Sequence, residues 1–151
     1  MPIVPLKGQF APPDPATWVQ DQLRAWESSG GTAGTTLRDT GLPVVIVVNR
    51  GAKSGQLHKT PVMRVEHDGS YVAVGSKGGD AKHPAWVHNL RADPEVEVWD
   101  GPVRSDFVVR ELEGAERETW WERAVAAYPP YAEYQLRTER LIPLFLLEPA
   151  P

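Results

Sequence analysis

The spacing of apolar residues along the chain predicts where the helices lie. Between residues 16 and 28, apolar side chains that include Trp18 and Trp26 recur on one side of a helix, which ends at a Ser-Ser-Gly-Gly sequence. A second amphipathic helix is predicted over residues 113–127, and a Pro-Ala-Trp sequence predicts a short helix over residues 84–90. The tryptophan-bearing face of the first helix either packs on its own domain or makes transient contact with a membrane surface.

Runs of β-branched and other apolar residues predict the strands. Residues 42–50 form a continuous apolar run bounded by glycines, which is typical of a buried strand. Residues 58–76 and residues 94–112 each predict two strands joined by a tight turn at an Asp-Gly sequence. Residues 141–149 predict a last strand, and Pro143 places that strand at the edge of a sheet or at a bulge.

The order of these elements predicts the fold class. Short strands in antiparallel pairs, with helices inserted between them, indicate an α+β fold built on a small barrel with helices packed against it. The chain lacks the β-α-β alternation of doubly wound nucleotide-binding folds. Its 151 residues suit a single domain, which we assign to residues 16–151, and the proline-rich residues 1–15 are expected to be flexible.

Composition and charge exclude several classes of function. The formal net charge is −4, so no overall field attracts nucleic acid, and no nucleic-acid partner is expected. The chain has no cysteine, which excludes disulfides, thiolate catalysis and cysteine-ligated metals. The four histidines lack the spacing of a metal site, so no metal is expected. With no signal peptide or membrane-spanning apolar run, a cytoplasmic location is expected.

Two glycine-bearing segments follow predicted strands and offer groups that bind anions. Residues 51–55 carry Lys53 and Ser54, and residues 75–90 begin with Gly-Ser-Lys. Glycine lets backbone N–H groups converge, and the lysine and serine side chains can contact an anionic oxygen. Four of the five lysines lie in or between these segments. This clustering indicates either a site for a phosphate or carboxylate or a solvated basic face.

Three tyrosines form another candidate site near the end of the chain. Tyr128, Tyr131 and Tyr134 recur at steps of three, so they share one side of a helical or 3₁₀ segment. A phenolic hydroxyl can donate a hydrogen bond or a proton while the ring stacks on a flat ligand. The alternative is a tyrosine-rich helix that only caps the barrel.

Taken together, three segments resemble one known family. The resemblance lies in GAKSGQLHKTPVMRVEHDG, VGSKGGDAKHPAWVHNL and YPPYAEYQLRTERLIPLFLLEP, and it extends from about residue 42 to residue 149. These segments are similar to the deazaflavin-dependent nitroreductase family, actinobacterial split β-barrel oxidoreductases that use coenzyme F420. The family is related to the FMN-binding, pyridoxamine-phosphate-oxidase-like barrels.

The resemblance implies a fold, a cofactor and a reaction. It implies a split β-barrel that binds F420 and transfers a hydride from the reduced cofactor to a small electrophilic acceptor, namely a quinone, an enone or a nitroaromatic compound. An F420-binding protein without efficient turnover and an FMN-binding relative are the alternatives. Exposed edges of such a barrel also predict a homodimer.

The resemblance also implies which residues form the site. The implied cofactor-binding residues are Ala52, Lys53, Ser54, His58, Lys59, Thr60, Pro61, Val62, Met63, Val74, Gly75, Ser76, Lys77, Ala85, Trp86, Val87, His88, Asn89 and Tyr131. The implied catalytic residues are Tyr128, Tyr131 and Tyr134, which form the wall of the substrate site, and Ser76 near the reacting carbon.

Different parts of this set are matched to different parts of the cofactor. Ala52, Lys53 and Ser54 would hold the phosphate and the anionic tail, with Lys59 as a further contact to the tail. This assignment is chemically consistent, because phosphate and carboxylates need cations and N–H donors, while a flat ring needs an apolar surface. Two positions differ from residues common in the family, which often has an arginine in place of Ala52 and an aromatic residue in place of Val87.

Overall fold

A computed structural model describes residues 8–12, 16–37 and 40–151, which contain four α-helices and seven strands. The helices are α1 (Thr17–Ser28), α2 (Ala85–Ala92), α3 (Gly114–Ala127) and α4 (Pro130–Leu136). The strands are β1 (Val44–Arg50), β2 (Leu57–Met63), β3 (Glu66–His67), β4 (Ser70–Val74), β5 (Glu95–Asp100), β6 (Val103–Glu111) and β7 (Leu144–Pro149). The predicted helices and strands are therefore largely confirmed.

All seven strands belong to one antiparallel sheet. Their order is β2-β1-β5-β6-β7-β4-β3. Strands β2 and β4 lie near opposite ends of this order but also contact each other, so the sheet curls on itself without a backbone ladder between them. The result is a split β-barrel with helices packed on it, which confirms the predicted α+β fold.

Strand direction brings the two glycine-bearing segments to the same end of the barrel. Each of the strands β1, β5, β6, β7 and β4 is antiparallel to the next, so β1 and β4 run in the same direction. The chain therefore leaves both strands at one end, which we call the loop end and define by residues 51–55 and 75–84. The hairpin end, defined by the turns at residues 68–69 and 101–102, lies opposite.

The core has two parts because side chains alternate across the sheet. On one face, residues such as Ile46 pack with buried residues of α1, α3 and α4. On the other face, residues such as Val47 pack with Val87 and Leu90 of α2. Strand β1 is covered on both faces, which explains why its sequence is continuously apolar instead of alternating.

Helix α1 packs its apolar face on its own domain. Val19 and Leu23 are buried, and the Trp26 side chain is 0% exposed, so the predicted packing on the domain is confirmed. The alternative, membrane contact through Trp18 and Trp26, is wrong for Trp26, although Trp18 is 37% exposed. Across the described ranges, every helix is too short or too polar to cross a bilayer.

Two details of the strand prediction are wrong. Strand β7 pairs with both β6 and β4, so it lies inside the sheet and not at an edge. Pro143 precedes this strand, and its carbonyl accepts a hydrogen bond from Gly75 N–H at 2.9 Å. Residues 58–76 do not form one hairpin, because β2 pairs with β1 and only the two residues of β3 pair with β4.

The first fifteen residues were predicted to form a flexible segment. Residues 1–7 and 13–15 lie outside the described residues. Within 8–12, the chain lies beside β2, where Leu57 N–H donates to Gln9 O and Ala11 N–H donates to Leu57 O, both at 2.8 Å. This short stretch therefore extends the sheet at β2.

Candidate functional site

The first loop, residues 51–55, forms a tight turn directly after β1. Gly51 N–H donates to Gln56 O at 2.8 Å, and Gly55 N–H donates back to Gly51 O at 3.0 Å. A Cβ atom on Gly51 would lie 2.6 Å from Ser54 Oγ and 2.9 Å from His58 Nε2, so a larger residue would require these two side chains to shift. Glycine at the start of the loop therefore lets Ser54 and His58 lie close to the backbone.

The first loop lines a cleft of about 370 Å³ together with the end of α2. Lys53 is exposed at this cleft. Arg50 also borders it, donating from Nη1 to Gly55 O at 2.9 Å and lying 3.4 Å from Asp93 Oδ2 through Nε. Two cations, one carboxylate and the loop backbone therefore surround the cleft, which suits an anionic group.

A series of amide hydrogen bonds connects the first loop to α2 and to the strands. Ala52 N–H donates to Asn89 Oδ1 at 2.9 Å, and Asn89 Nδ2 donates to Asn49 Oδ1 at 2.9 Å. Asn49 Nδ2 in turn donates to Thr60 Oγ1 at 3.0 Å and to Val47 O at 3.1 Å. We call this series the amide relay.

Asn49 is a residue of this site that the sequence analysis missed. Its side chain is 1% exposed, and burial of a polar amide is costly unless its hydrogen bonds are satisfied. The signal in the sequence was a polar Asn49-Arg50 pair at the end of an otherwise apolar strand. That signal shows neither the partner on α2 nor the connection to the loop.

A narrow crevice lies between α2 and the barrel, next to the amide relay. It is lined by Val47, Asn49, Thr60, Val62, Ala73, Trp86 and Leu90. Three of the predicted cofactor-binding residues, Thr60, Val62 and Trp86, therefore share one surface. The crevice is too narrow for a water molecule, and Trp86 packs edge-on against Phe145 with 6.0 Å between ring centroids.

The predicted contacts along β2 divide between the two sides of the strand. Thr60 and Val62 face α2, whereas Lys59 lies toward α1. Lys59 forms an ion pair with Glu27, and its Nζ lies 4.5 Å from the centroid of the Phe10 ring. The structure therefore does not bring Lys59 to the first loop with Lys53.

Several of the predicted cofactor-binding side chains lie in the core. Met63, Val74 and Val87 are buried, and Val87 is 0% exposed. A Cβ atom on Gly75 would lie 2.8 Å from Val87 Cγ2, so the end of β4 packs directly on α2. An aromatic side chain at position 87 would overfill this contact.

The second loop, residues 75–84, is held by the side chain of Arg140. Arg140 Nη1 donates to Gly75 O and to His83 Nδ1, both at 3.0 Å. Its Nη2 donates to Ser76 O at 2.8 Å, and its Nε donates to Asp80 O at 2.8 Å. The sequence analysis missed Arg140, although it lies within the third segment of the resemblance.

The protonation state of His83 agrees with this arrangement. Burial, followed by the nearby charge of Arg140, lowers the pKa of His83 below its ordinary value of 6.5. Since a guanidinium can only donate, His83 Nδ1 must carry a lone pair. His83 is therefore neutral at pH 7, with its proton on Nε2.

The three tyrosines form one cluster, as their spacing predicted. The ring centroid of Tyr128 lies 5.0 Å from that of Tyr131, and the ring centroid of Tyr134 lies 6.2 Å from each of these two centroids. The hydroxyls of Tyr128 and Tyr134 are hydrogen-bonded at 3.1 Å. Tyr131 is 5% exposed, and its hydroxyl makes no hydrogen bond to any other residue that the structure describes.

Tyr128 and Tyr131 are neutral at physiological pH. The hydrogen bond to Tyr134, together with burial, raises the pKa of Tyr128 to about 12. Burial also raises the pKa of Tyr131, with further contributions from the two neighbouring tyrosines. The Tyr128 and Tyr131 hydroxyls therefore stay protonated and do not act as bases near pH 7.

The second loop packs directly against the tyrosine cluster. A Cβ atom on Gly79, in the 3₁₀ turn Lys77–Gly79, would lie 2.7 Å from Tyr134 O. At the loop end the first loop is therefore joined to α2, and the second loop is joined to α4. Residues 8–12, 16–37 and 40–151 contain no group of three or more histidine or acidic side chains that could hold a metal ion.

Comparison with known proteins identifies the family of this chain. The model of a family described as F420H(2)-dependent quinone reductase matches residues 18–149. An F420H(2)-dependent quinone reductase of Mycobacterium tuberculosis is 32% identical over 108 residues, which cover 70% of this chain and 72% of the relative.

Two solved structures are also similar to this chain. An F420-H2 dependent reductase (FDR-A) is 56% identical, with a TM-score of 0.67, over 70% of this chain and 94% of its own. A structure described as a domain-swapped dimer is 50% identical, with a TM-score of 0.70, over 89% of this chain and 100% of its own. The implied cofactor, coenzyme F420, and the implied class, an oxidoreductase, are thereby confirmed as those of the family. The chain belongs to the F420H(2)-dependent quinone reductase family.

Proposed function

We propose that this protein reduces a quinone with F420H2 as the hydride donor and that the loop end of the barrel is its active site. The observation that carries the proposal is the convergence of three segments that are distant in sequence. The first loop is joined to α2 through Asn89, the second loop packs on α4 through Gly79, and both loops leave the barrel at one end. A cofactor with an anionic tail and a flat ring fits such a surface.

The groups at the first loop fit the anionic tail. Lys53 is exposed at the cleft, and Ser54 lies beside it with a hydroxyl that accepts from Gln56 N–H at 3.1 Å. The exposed Ala52 contributes backbone, and its N–H is already bonded to Asn89. We therefore assign the tail contact mainly to Lys53, with Arg50 as the second cation at the cleft.

The half-buried side chains at the edge of the crevice, and not its interior, would contact the flat ring. Val62 and Trp86 provide an apolar surface, and Thr60 provides a hydroxyl that is already held by Asn49. When bound, F420H2 supplies the hydride of the reaction. The protein residues orient the reactants and exclude water from the surface on which they meet.

Besides a hydride, quinone reduction requires a proton donor for a quinone oxygen, and the tyrosine cluster offers such a donor. Reduction of a quinone to a hydroquinone adds one hydride and one proton, so negative charge develops on a quinone oxygen. The Tyr131 hydroxyl is protonated and is not bonded to another described residue, so it is able to donate to that oxygen. The hydroxyls of Tyr128 and Tyr134 bond each other.

Binding and turnover assays test the proposal. The purified protein is titrated with F420 and, separately, with FMN while cofactor fluorescence is followed, and oxidation of F420H2 is then measured with menadione, an enone or a nitroimidazole. We expect saturable F420 binding and fastest turnover with menadione. Binding of FMN but not F420 would contradict the proposal, and F420 binding without turnover of any acceptor would instead support a binding protein.

Two lysine variants test the assignment of the tail contact. Lys53→Ala should weaken F420 binding by roughly tenfold, because one charge-assisted contact is lost. Lys59→Ala is the matched control, since Lys59 is paired with Glu27 on the other side of β2. A larger loss of affinity for Lys59→Ala than for Lys53→Ala would contradict the assignment.

We also propose that the protein is a cytoplasmic homodimer. The support is the domain-swapped dimer that is 50% identical to this chain over 89% of its length. Light scattering coupled to gel filtration should give twice the chain mass of 16.7 kDa, and cell fractionation should place the protein in the soluble fraction. A mass of one chain across a range of concentrations would contradict the dimer.

A further inference from the structure

Arg140 lies in the segment between α4 and β7, and its guanidinium is directed at the second loop. A guanidinium has five N–H donors, and four of these are used on Gly75 O, Ser76 O, Asp80 O and His83 Nδ1. These acceptors span nine residues of the loop. One side chain therefore determines the path of the loop backbone from the end of β4 to the start of α2.

Two of the carbonyls that Arg140 bonds belong to the buried residues Gly75 and Ser76, whereas Asp80 is exposed. Without the guanidinium, Gly75 O would lack a partner among the described residues, and Ser76 O would keep only the Gly79 N–H, at 2.9 Å. The planar fork of an arginine can reach several acceptors in different directions at once. A lysine ammonium at the same place could not satisfy this set with the same geometry.

The backbone of Arg140 is itself held by α4. Gln135 Nε2 donates to Arg140 O at 2.8 Å, and Gln135 Oε1 accepts from Ile142 N–H at 3.0 Å. Gln135 directly follows Tyr134 in the helix that carries the tyrosine cluster. The connection therefore runs from the tyrosines through Gln135 and Arg140 to Ser76.

We propose that Arg140 is a positioning residue that, together with Gln135, fixes the second loop relative to the tyrosine cluster. Ser76 and Tyr131 then border one site with a constant separation. The inference rests on the proposed function, because Gln135 and Arg140 connect the two sides of the active site proposed there. Arg140 does not itself contact the reacting atoms in this proposal.

Hydrogen–deuterium exchange on the protein without cofactor tests the inference independently of activity. In Arg140→Ala, we expect amide exchange in residues 75–84 to be faster by on the order of tenfold, while exchange in residues 51–55 is unchanged. Arg110→Ala is the matched control, because Arg110 is an exposed arginine paired with Glu116 and Glu148. Unchanged exchange in residues 75–84 of Arg140→Ala would overturn the inference.

Binding and kinetic measurements separate positioning from a general loss of stability. Arg140→Ala should raise the F420 dissociation constant and the KM for menadione by roughly tenfold. Arg140→Lys should recover part of this loss, and Gln135→Ala should show a smaller loss in the same direction. Equal behaviour of Arg140→Lys and Arg140→Ala at normal melting temperature would contradict a role for the guanidinium fork.

The design also distinguishes this inference from the proposed function. If the wild-type protein neither binds F420 nor reduces a quinone, the proposed function fails, and the exchange experiment still decides the role of Arg140. If wild type is active and the Arg140 variants bind and react normally, only the inference fails. Where Arg140→Ala does not fold, the exchange and KM measurements on Arg140→Lys and Gln135→Ala decide the same question.

Discussion

The hairpin end and the loop end of the barrel use polar side chains in different ways. At the hairpin end, charged and aromatic side chains bond one another: Arg64 Nε donates to both carboxylate oxygens of Asp100 at 3.0 and 3.1 Å, and Tyr71 OH donates to the same carboxylate at 2.5 Å. At the loop end, Asn49 bonds the Asn89 amide, the Thr60 hydroxyl and strand backbone, and Arg140 bonds carbonyls of the second loop. At the hairpin end, the polar side chains use one another as partners. At the loop end, they hold loops in place and leave the surface between the loops free to bind a ligand.

The tyrosines at the two ends show why a shifted pKa alone does not identify the site. Burial and the hydrogen bond to Asp100 raise the pKa of Tyr71 to about 12, and Tyr128 at the loop end has a pKa of about 12 as well. The difference is in the partners, because the Tyr71 hydroxyl is committed to Asp100. The Tyr131 hydroxyl has no such partner in the described part of the chain, so it can serve a ligand.

The largest effect is expected from Asn49→Ala, which breaks the amide relay at the loop end. The change empties the buried place of the Asn49 amide and removes the acceptor of Asn89 Nδ2 and the donor to Thr60 Oγ1, so it should lower the free energy of unfolding by about 3 kcal/mol. It should also weaken F420 binding, because the first loop is held through Asn89. Urea unfolding and F420 titration measure the two effects.

A second buried amide provides the matched control for Asn49. Gln22 in α1 is also buried and donates from Nε2 to Gly34 O at 3.1 Å and Thr36 O at 2.8 Å, remote from the loop end. Gln22→Ala should therefore reduce stability without changing F420 affinity. Equal loss of F420 affinity in the two variants would show that the amide relay has no specific role at the site.

The next largest effect is expected at the hairpin end. Asp100→Ala removes the acceptor shared by Arg64 and Tyr71 and should lower the free energy of unfolding by about 2 kcal/mol, since both partners are partly exposed to water. F420 affinity and turnover at a temperature below unfolding should stay unchanged. Thermal unfolding and the F420 titration are the measurements.

An exposed ion pair near the loop end provides the comparison for the stability loss in Asp100→Ala. Glu111→Ala removes the carboxylate that binds Arg91 Nε at 2.8 Å. It should lower the free energy of unfolding by less than about 1 kcal/mol, because the pair is solvated. If Asp100→Ala costs no more than Glu111→Ala, the contacts at the hairpin end do not stabilise the fold more than a solvated ion pair does. A drop in F420 affinity in Asp100→Ala would contradict the separation of the two ends.

Local features of the fold could be predicted because they depend on residues close in sequence. The turn at Asp68 and Gly69 has positive φ at both positions, 51° and 83°, as an Asp-Gly hairpin turn requires. The apolar run of β1 likewise indicated a strand buried on both faces. Pro143 was misleading, since a proline next to a strand and a proline within it have the same local sequence signature.

The missed features depend on partners that are distant in sequence. Lys59 is paired with Glu27, 32 positions away, so clustering of lysines in the sequence did not predict where its charge lies. Asn49 bonds a residue 40 positions away, and Arg140 bonds Gly75 at a separation of 65. Hydrophobic periodicity reports which face a residue occupies, but not which loop a polar side chain reaches across the barrel.

Removal of one hydroxyl at the loop end should have a smaller effect on stability and a specific effect on turnover. Tyr131→Phe should lower kcat for menadione by roughly tenfold, because a donor to the developing charge on oxygen is lost. Tyr128→Phe is the control, since it removes only the bond to the Tyr134 hydroxyl and should change kcat less. Stopped-flow oxidation of F420H2 measures the effect, and a larger loss in Tyr128→Phe would assign the donor role to the other tyrosine.

The smallest effect is expected from pH at the second loop, through the contact between His83 and Arg140. The pKa of His83 is lower in the folded protein than its ordinary value of 6.5. The contribution of neutral His83 to the stability of the fold is therefore fully present above pH 6.5. As the pH falls further, the unfolded chain takes up the proton first, and the contribution is lost as the pH passes through the folded-state pKa. His88, Arg91 and Glu111 also act on His83, and only Glu111 opposes the lowering.

His83→Gln tests this dependence because a glutamine carbonyl can accept from Arg140 but does not titrate. Between pH 7.5 and 5.5, the melting temperature of wild type should fall by about 2 °C more than that of His83→Gln. His67→Gln at the hairpin end is the control, since the exposed His67 ring contacts Asp68 and Trp120 there. Parallel melting curves for wild type and His83→Gln across this range would show that the loop end does not depend on the charge of His83.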